Sequence, residues 1–405
     1  FARFCRCHCN EQCARSFSAN DPSSMMEPTD DMISRRDVVL GSLAWVALTG
    51  LLSNEAKAQP FQRLRDQIRA RRVRGEDNRR ADPTAIAGLE EFGAPGRFPT
   101  IAIAGVWQDA ARSGRPVPWK LYLPEVANRS PIAIYSHGGG GTRESGAMFG
   151  EHLASHGIAS LHLQHLGSDR DAFRADRRQI SEASRNPLLA EPRFGDIGFA
   201  ARMMRGGDEA VAGRVDGNQV AVYGHSFGAI TAQVAAGQWV EGLGRKHAVS
   251  DLRAAVLLSP SPPRAGYGTV RDAFARMNAP LLHLTGSEDD APNGDFDARE
   301  RLVPFAAISN VEQHLLFLRG ANHFTFGGDP DPRLGPRSFA YPGLARDHAL
   351  IRATMAASLR AQLLNYTIAA DYLKLGGTLF AQLDSGDRLD HRAATTAQSS
   401  SRSVP

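Results

Sequence analysis

The sequence predicts a doubly wound α/β fold, in which a mostly parallel eight-stranded sheet carries helices on both faces. Segments typical of strands alternate with segments typical of helices from residue 98 to residue 372, and such alternation predicts a parallel sheet with crossover helices. Several strand segments, such as residues 254–259, are apolar without polar alternation, which suits strands buried on both faces. A third observation is a tight strand-to-helix connection at Gly224-x-Ser226-x-Gly228.

Eight segments account for the predicted sheet. They are Phe98–Trp107, Val117–Leu123, Pro131–Ser136, Ile158–Leu166, Gln219–Tyr223, Ala254–Ser259, Leu281–Thr285 and Gln313–Leu318. Helices are predicted at residues 149–156, 196–205 and 350–372. Residues 167–192 form a charged loop, which we expect to be a flap that overhangs Ser226 and selects the substrate; a solvated loop is the alternative.

Length and composition suit one large domain with tails. The chain has 405 residues, of which 42% are hydrophobic, and a net charge of +4, as expected of one large α/β domain. Residues 62–80 hold eight arginines against three acidic residues, which is typical of a solvated helix or linker. No aromatic residue is interleaved with these arginines, so we expect no nucleic-acid partner.

The N-terminal region has the pattern of an export signal. Ser34-Arg35-Arg36 precedes an apolar run at residues 38–52, which resembles a twin-arginine motif but is shorter than the ~20 residues of a membrane span. Ala56-Lys57-Ala58 then supplies a small-x-small cleavage site. We expect cleavage after Ala58 and a periplasmic or secreted bacterial protein with no stable membrane span; an uncleaved anchor is the alternative.

These patterns divide the chain into four regions. Residues 1–58 are an N-terminal extension with the twin-arginine-type signal peptide, and residues 59–92 are a basic linker. Residues 93–385 are the folded α/β domain. Residues 386–405 are expected to be a disordered tail, because their composition is polar and rich in serine.

All four cysteines lie within the first 13 residues, at positions 5, 7, 9 and 13. Their C-x-C-x-C-x3-C spacing is too compressed for the usual zinc knuckles, and no second pair follows. The folded domain has no cysteine, so no disulfide can form within it. We expect neither a metal site nor a cofactor.

Ser226 is the predicted nucleophile, because it lies at the centre of a nucleophile-elbow pattern. A serine hydroxyl can attack only if a sharp turn holds it away from the chain. Gly224 and Gly228 flank it at positions where we expect a Cβ atom to collide with the neighbouring strand and helix. An ordinary strand-glycine-helix connection would give the same pattern, so the assignment depends on the serine's partners.

An acid and a histidine follow Ser226 in the order that this pattern requires. Asp289 follows the strand at 281–285, at an end where the loops of an α/β sheet form its active crevice, and the neighbouring Asp290 is an alternative. His323 follows the last predicted strand. We therefore predict a catalytic triad of Ser226, Asp289 and His323.

A glycine loop at residues 138–141 follows the third predicted strand. Backbone N–H groups of Gly139 and Phe227 are predicted to form an oxyanion hole, where the loss of one donor typically costs roughly 3–4 kcal/mol. A phosphate-binding loop is the alternative, but no Gly-Lys-Ser/Thr follows the glycines.

The remaining histidines that we considered fit catalysis poorly. His137 opens the glycine loop and is expected to brace it, and His225 is held inside the elbow. His152 and His156 share a helical face, but the glutamate that an H-E-x-x-H zinc motif requires is missing. We therefore expect no metal centre among them.

Four motifs together resemble one branch of the α/β-hydrolases, the serine esterases related to platelet-activating-factor acetylhydrolases and dienelactone hydrolases. The motifs are WQDAAR at residues 107–112, SHGGGG at 136–141, LASHG at 153–157 and GHSFG at 224–228. The resemblance covers residues 95–375 and implies ester hydrolysis without metal or cofactor. The chain differs from that branch at Gly139, where a bulkier residue is usual, and from true dienelactone hydrolases at Ser226, where they use cysteine.

The sequence thus favours a secreted serine hydrolase that cleaves carboxylic esters through an acyl-enzyme intermediate. A lipase-like or polyester-cleaving hydrolase of the same fold is the alternative, and a non-catalytic binding protein of this fold is a third. The expected partner is a small-molecule or lipid-like ester. The sequence defines neither the ester nor the oligomeric state.

Overall fold

The computed structural model describes residues 88–126, 128–208, 211, 213–264, 266–328 and 344–395. The predicted signal peptide, the arginine-rich segment, the four cysteines and residues 396–405 of the predicted tail lie outside these ranges. Among the residues described, no helix combines the length and the hydropathy that crossing a membrane requires.

Nine strands are present in the described residues, all in one sheet. They are β1 (Thr100–Asp109), β2 (Arg115–Pro124), β3 (Ser130–Ser136), β4 (Ala159–Leu163), β5 (Val215–His225), β6 (Ala254–Leu258), β7 (Leu281–Glu288), β8 (Gln313–Asn322) and β9 (Arg388–Arg392). The strand order is β1-β2-β4-β3-β5-β6-β7-β8-β9. Strands β3 to β8 pair in parallel, whereas β1, β2 and β9 are antiparallel to their neighbours.

The central strands are buried on both faces. Every residue of β3, β4 and β6 is buried, as expected for parallel strands covered by helices. Successive side chains point to opposite faces: Ile132 and Ile134 of β3 join one apolar core, and Ala133 and Tyr135 join the other. The uninterrupted apolar runs in the sequence therefore supply two cores at once.

Eight α-helices surround the sheet in the described residues. They are α1 (Ala147–Ser155), α2 (Arg170–Arg185), α3 (Pro187–Arg202), α4 (Phe227–Ala235), α5 (Val270–Phe274), α6 (Val303–Ala307), α7 (Leu344–Leu364) and α8 (Thr367–Tyr372). Side chains of α1, α7 and α8 contribute to one core, and side chains of α3, α4 and α5 contribute to the other. The chain is therefore a three-layer α/β structure with helices on both faces of the sheet.

The charged excursion between β4 and β5 is helical, which corrects the expectation that residues 167–192 form a loop. Helix α2 begins where the Asp169 side chain accepts the N–H of Ala172. Helix α3 begins with Pro187 directly after Asn186, whose side chain accepts the N–H of Leu188. These are favourable N-cap and first-turn residues. The helix expected to start at residue 196 therefore starts nine residues earlier, at Pro187.

Both ends of the folded domain extend further than expected. The sheet has nine strands and not eight, because β9 pairs antiparallel with β8, inside the 386–405 range expected to be a disordered tail. At the other end, Leu89 and Phe92 are buried in a core, although they fall in the expected linker. Strand β9 has the polar sequence RLDHR, in which only Leu389 is buried. This sequence has no apolar pattern that would predict a strand, and β9 forms because the edge of β8 offers backbone groups to pair with.

Parallel pairing brings four loops to one edge of the sheet. Strands β3, β5, β7 and β8 all run in the same direction, so the glycine loop, the elbow, the Asp289 loop and the His323 loop follow ends that lie on the same side. The elbow is the tightest of these connections. A Cβ atom at Gly224 would lie 2.2 Å from the carbonyl oxygen of Gly228, and one at Gly228 would lie 1.8 Å from that of Ser136.

Replacement of Gly228 by alanine should destabilise the fold, because the added methyl group meets the backbone of β3 and not a movable side chain. We expect Gly228→Ala to lower the free energy of unfolding by about 3 kcal/mol or more, or to prevent folding. Gly213→Ala is the matched control, since its Cβ position has no atom within 4 Å. Thermal unfolding followed by circular dichroism measures both variants; similar melting temperatures would contradict the tight approach.

Candidate active site

Ser226 occupies a strained turn between β5 and α4. Its backbone has φ 58° and ψ −117°, a conformation that costs about 1–3 kcal/mol for a residue other than glycine and persists only where surrounding structure imposes it. The N–H of Ser226 donates to the carbonyl of Leu258 in β6 at 3.0 Å, and the flanking glycines admit the close backbone approach. The serine is half-buried, so part of the residue is accessible to solvent.

The structure brings the three predicted catalytic residues together. His323 Nε2 lies 2.9 Å from Ser226 Oγ, and His323 Nδ1 lies 2.8 Å from Asp289 Oδ1. In the tautomer that fits both partners, Nδ1–H donates to the carboxylate and Nε2 accepts the serine proton. This arrangement can withdraw a proton from the serine hydroxyl.

Asp289, and not Asp290, is the acid that contacts His323. The Asp289 carboxylate is fully buried and accepts the hydroxyl of Thr285 at 2.8 Å through Oδ2. The neighbouring Asp290 is exposed and instead accepts the N–H of Ala298 at 2.9 Å. The two candidates left open by the sequence therefore have different tasks, since successive side chains on this loop point in different directions.

Burial lowers the pKa of His323 below its ordinary value of 6.5, because desolvation destabilises the imidazolium. Asp289 acts in the opposite direction, and the charge of Arg301 also lowers the pKa. The ring stays neutral, and so able to accept a proton, above this lowered pKa. The loop that carries it is held from the elbow, since His225 Nε2–H donates to the carbonyl of His323 at 2.9 Å.

Arg301 supports the acid and the histidine from behind, and nothing in the sequence pointed to it. Its side chain is 2% exposed. Its Nε donates to the carbonyl of Asp289 at 2.8 Å and lies 3.1 Å from the Oδ1 of the same residue. Its Nη1 donates to the carbonyl of Ser259 at 2.8 Å, and its Nη2 lies 2.9 Å from His323 Nδ1.

The only local signal for this support is a capping box that begins the short helical segment holding Arg301. Asp297 accepts backbone N–H groups at the start of that segment, and Glu300 accepts the N–H of Asp297. The capping box fixes where the segment starts, and packing against the loop after β7 turns Arg301 inward. A capping box predicts a helix start, but it does not predict which side chain becomes buried.

The predicted oxyanion donors lie on segments next to the serine. A Cβ atom at Gly138 would be 3.4 Å from Ser226 Cβ, so the glycine loop passes directly beside the nucleophile. Gly140 has φ +75° and donates its N–H to the carbonyl of Ser168 at 2.9 Å. Within the described part of the chain, the N–H groups of Gly139 and Phe227 have no hydrogen-bond acceptor, which leaves both able to bind an oxyanion.

A second arginine, Arg193 of α3, lies against Phe227 and the residues that begin the glycine loop. It is 2% exposed, and its guanidinium lies 4.0 Å from the ring centroid of Phe227. Its Nη2 donates to the carbonyl of His137 and, at 3.0 Å, to Ser136 Oγ. Burial lowers the pKa of Arg193 to about 9, so the side chain remains a cation at neutral pH and holds the start of the glycine loop.

His137 braces the glycine loop, as the sequence predicted. Its Nδ1–H donates to the carbonyl of Gly138 at 2.6 Å, and its Nε2 accepts the N–H of His165 at 3.0 Å. A neutral imidazole, with one nitrogen donating and the other accepting, makes both of these hydrogen bonds. This ring has a structural task and takes no part in proton transfer at Ser226.

A second Ser-His-Asp chain lies in the interior next to this loop. His165 Nε2 lies 2.9 Å from Ser136 Oγ, and His165 Nδ1 lies 3.0 Å from Asp196 Oδ2. All three side chains are 0% exposed, and Asp196 also pairs with Arg115 at 2.9 Å. No substrate can reach Ser136, so this chain connects the end of β3 to α3 and does not form a second active site.

Helix α2 covers the glycine loop with apolar side chains. A Cβ atom added at Gly139 would lie 2.7 Å from Ile180 Cγ2. One added at Gly140 would lie 2.9 Å from the Phe173 ring. At its other end, Arg185 pairs with Asp295 in the loop that follows Asp289. The helix therefore connects the loop of the predicted oxyanion hole with the loop of the acid.

His152 and His156 have structural partners. His152 Nε2 donates to the carbonyl of Phe92 at 2.7 Å, and His156 Nε2 donates to that of Ala94 at 3.0 Å. Burial lowers the pKa of His156 to about 4, so its ring is neutral. These histidines fix the N-terminal segment on α1.

No protein-family model matches the chain, and no curated protein matches it.

Replacement of Asp289 and replacement of Asp290 by asparagine should lower kcat to very different extents. Asp289→Asn removes the carboxylate that fixes the His323 tautomer, and we expect kcat on a nitrophenyl ester to fall by roughly 10⁴-fold, as for other triad acids. Asp290→Asn is the matched control and should change kcat far less, because Asp290 only caps the helical segment at Ala298. Equal losses in the two variants would contradict the assignment.

Arg301 should control both the rate and the pH dependence of the site. We expect Arg301→Met to lower kcat with little change in KM and to move the acid limb of kcat/KM to higher pH, because the cation that opposes protonation of His323 is gone. In the wild type this limb should lie below pH 6.5, the ordinary pKa of histidine.

Arg301→Lys is the matched control for charge. Lysine keeps the positive charge but lacks the planar guanidinium that donates to several loop carbonyls at once. We therefore expect kcat to fall, while the acid limb of the pH profile stays near that of the wild type. A pH profile from each variant, with circular dichroism to verify folding, measures both effects. An unchanged kcat and an unchanged limb in Arg301→Met would show that Arg301 serves only the fold.

Proposed function

We propose that this chain is a serine hydrolase of the α/β-hydrolase fold that cleaves carboxylic esters through an acyl-enzyme intermediate. One observation carries the proposal: a half-buried serine on a strained elbow is joined by hydrogen-bond distances of 2.9 and 2.8 Å to a histidine and a buried aspartate. The other Ser-His-Asp chain in the described residues is buried, whereas this one opens to solvent.

The placement of the parts supports the hydrolase fold within the broader α/β class. In that fold the serine lies on a strand-to-helix turn, the acid and the histidine follow it in this order, and the second oxyanion donor comes from the loop after the third strand. Here the elbow joins β5 to α4, Asp289 follows β7, and His323 follows β8. The resemblance of the motifs to platelet-activating-factor acetylhydrolases and dienelactone hydrolases agrees with this placement.

The first half-reaction forms the acyl-enzyme. His323 Nε2 removes the proton from Ser226 Oγ as the oxygen attacks the ester carbonyl carbon. The negative charge then moves to the carbonyl oxygen, where the N–H groups of Phe227 and Gly139 donate to it. His323 next gives its proton to the leaving alcohol as the carbon–oxygen bond breaks.

The second half-reaction repeats these proton movements with water. His323 removes a proton from the water that attacks the acyl-enzyme, and then returns a proton to Ser226 as the acid product leaves. Asp289 keeps its charge throughout and stabilises the imidazolium that forms in each half. The lowered pKa of His323 suits this role, because a neutral ring is available at neutral pH.

Short acyl groups are the proposed substrates. Ile180 and Phe173 close against Gly139 and Gly140, which leaves little room beside the predicted oxyanion hole. The ring of Phe324, 39% exposed next to His323, supplies apolar surface at the entrance. A lipase-like or polyester-cleaving enzyme would need a longer apolar surface than these side chains provide.

The proposed location of the enzyme is the bacterial periplasm or the medium. This part of the proposal depends on the twin-arginine-type motif, the short apolar run and the cleavage pattern before residue 59. A small-molecule or lipid-like ester that reaches this compartment is the proposed partner.

A fluorophosphonate probe tests the proposed nucleophile. We expect the wild type to be labelled on the peptide that contains Ser226, and Ser226→Ala to lose both the label and the hydrolysis of nitrophenyl acetate. The preferred ester should be acetyl over butyryl and octanoyl, because Ile180 and Phe173 leave little room for a longer acyl chain. A methylene that does or does not fit an apolar pocket changes the free energy by about 1–3 kcal/mol.

Ser136→Ala is the matched control, because it removes the serine of the buried Ser-His-Asp chain. It should still be labelled at Ser226 if it folds, although with lower activity because the glycine loop loses an anchor. Label on a different serine in Ser226→Ala, or an unlabelled wild type with intact fold, would overturn the proposal.

A further inference from the structure

A cluster of metal-ligating side chains lies at the opposite end of β8 from His323. In the antiparallel pairing of β8 with β9, His314 is directly opposite His391. Glu312 precedes His314 by two residues, so its side chain lies on the same face. The register therefore places the two histidines together, and Glu312 directly precedes the strand that holds one of them.

The side-chain contacts agree with this placement. The possible ligand atoms of Glu312, His314 and His391 all lie within 4.8 Å of one another. The two imidazole rings stack with centroids 4.6 Å apart, and His391 Nε2 lies 3.1 Å from Glu312 Oε1. The His314 ring is half-buried and contacts the His391 ring by stacking, which leaves the nitrogen lone pair in the ring plane to bind an ion.

The cluster also lines a cavity of about 400 Å³. Helices α7 and α8 also line it, through Ser358, Gln362 and Ala370. One cation, Lys374, also lines the cavity, but its ammonium group pairs with Asp371 at 2.5 Å. An ion bound by the three residues would thus have open space on one side for a further ligand.

The donor set defines the class of ion. Two imidazoles and one carboxylate suit zinc and the neighbouring divalent transition metals, whereas calcium and magnesium prefer oxygen ligands alone. Three protein ligands leave a fourth tetrahedral position free for water or for a group in the cavity. Strand β8 rises ~3.3 Å per residue, so this cluster lies far from the triad.

We propose that Glu312, His314 and His391 form a zinc-class metal site that fastens β9 to β8. Strand β9 is a five-residue edge strand with one buried side chain, so few apolar contacts hold it. An ion with ligands on both strands would join them and would stabilise the folded state by mass action. This site is independent of the proposed ester hydrolysis.

Metal titration of the full chain tests the proposal. After treatment with a chelator, Zn²⁺ binding is measured by calorimetry, and Co²⁺ binding by its visible absorption. We expect His314→Ala and His391→Ala each to weaken binding at this site by more than the ~10–100-fold that loss of an outer partner of a metal ligand typically costs. Glu312→Gln keeps the shape of the side chain and should also weaken binding.

Two controls separate this site from other ligands in the chain. His247→Ala removes a histidine that pairs with Glu191 at 3.1 Å and lies outside the cluster of Glu312, His314 and His391, and it should bind Zn²⁺ as the wild type does. Binding by the N-terminal cysteines would give Co²⁺ intense near-ultraviolet sulfur charge-transfer absorption, which nitrogen and oxygen ligands do not produce.

Thermal unfolding with and without Zn²⁺ is the second measurement. We expect Zn²⁺ to raise the melting temperature of the wild type and of His247→Ala, but not that of His391→Ala. If the His314 and His391 variants bind Zn²⁺ as tightly as the wild type, or if Co²⁺ shows sulfur ligation only, the proposal is wrong.

Discussion

The contact between helix α4 and strand β3 is the constraint on which the candidate site depends. Gly228 lies so close to the carbonyl of Ser136 that a Cβ atom there would be 1.8 Å away. This approach brings the first residue of α4, Phe227, beside the glycine loop that begins where β3 ends. The serine, one predicted oxyanion donor and the loop of the other are therefore positioned by a single packing contact. The strained backbone of Ser226 is tolerated because β6 also holds its N–H.

Two buried arginines extend this arrangement to the rest of the site. A buried guanidinium is costly unless its donors are satisfied. Arg193 donates to the hydroxyls of Ser136 and Ser168 and to one backbone carbonyl, whereas Arg301 donates largely to backbone carbonyls. Arg193 holds the carbonyl before the glycine loop and contacts the ring of Phe227. Arg301 holds the carbonyls of Asp289 and Ser259. Each arginine thus positions one side of the site through loops that have no regular secondary structure of their own.

The two Ser-His-Asp chains show that distances alone do not define a catalytic triad. The hydrogen-bond distances that join Ser136, His165 and Asp196 are similar to those that join Ser226, His323 and Asp289. They differ in access and in backbone geometry: Ser136 belongs to a regular buried strand, whereas Ser226 is half-buried on a turn with positive φ. Access and strain, together with adjacent free N–H groups, distinguish the candidate nucleophile from the structural serine.

The amino-acid sequence by itself determined the α/β class, eight of the nine strands, and the serine and the histidine of the candidate triad. Apolar runs, turn glycines and chain order are local signals, and parallel pairing then brings the loops after β5, β7 and β8 to one edge. Tertiary structure decided what depends on distant neighbours. It selected Asp289 over Asp290, buried Arg193 and Arg301, folded the charged excursion into helices, and added β9 with its histidine opposite His314. These features carry weak local patterns, because the free energy that fixes them comes from contacts between residues far apart in the chain.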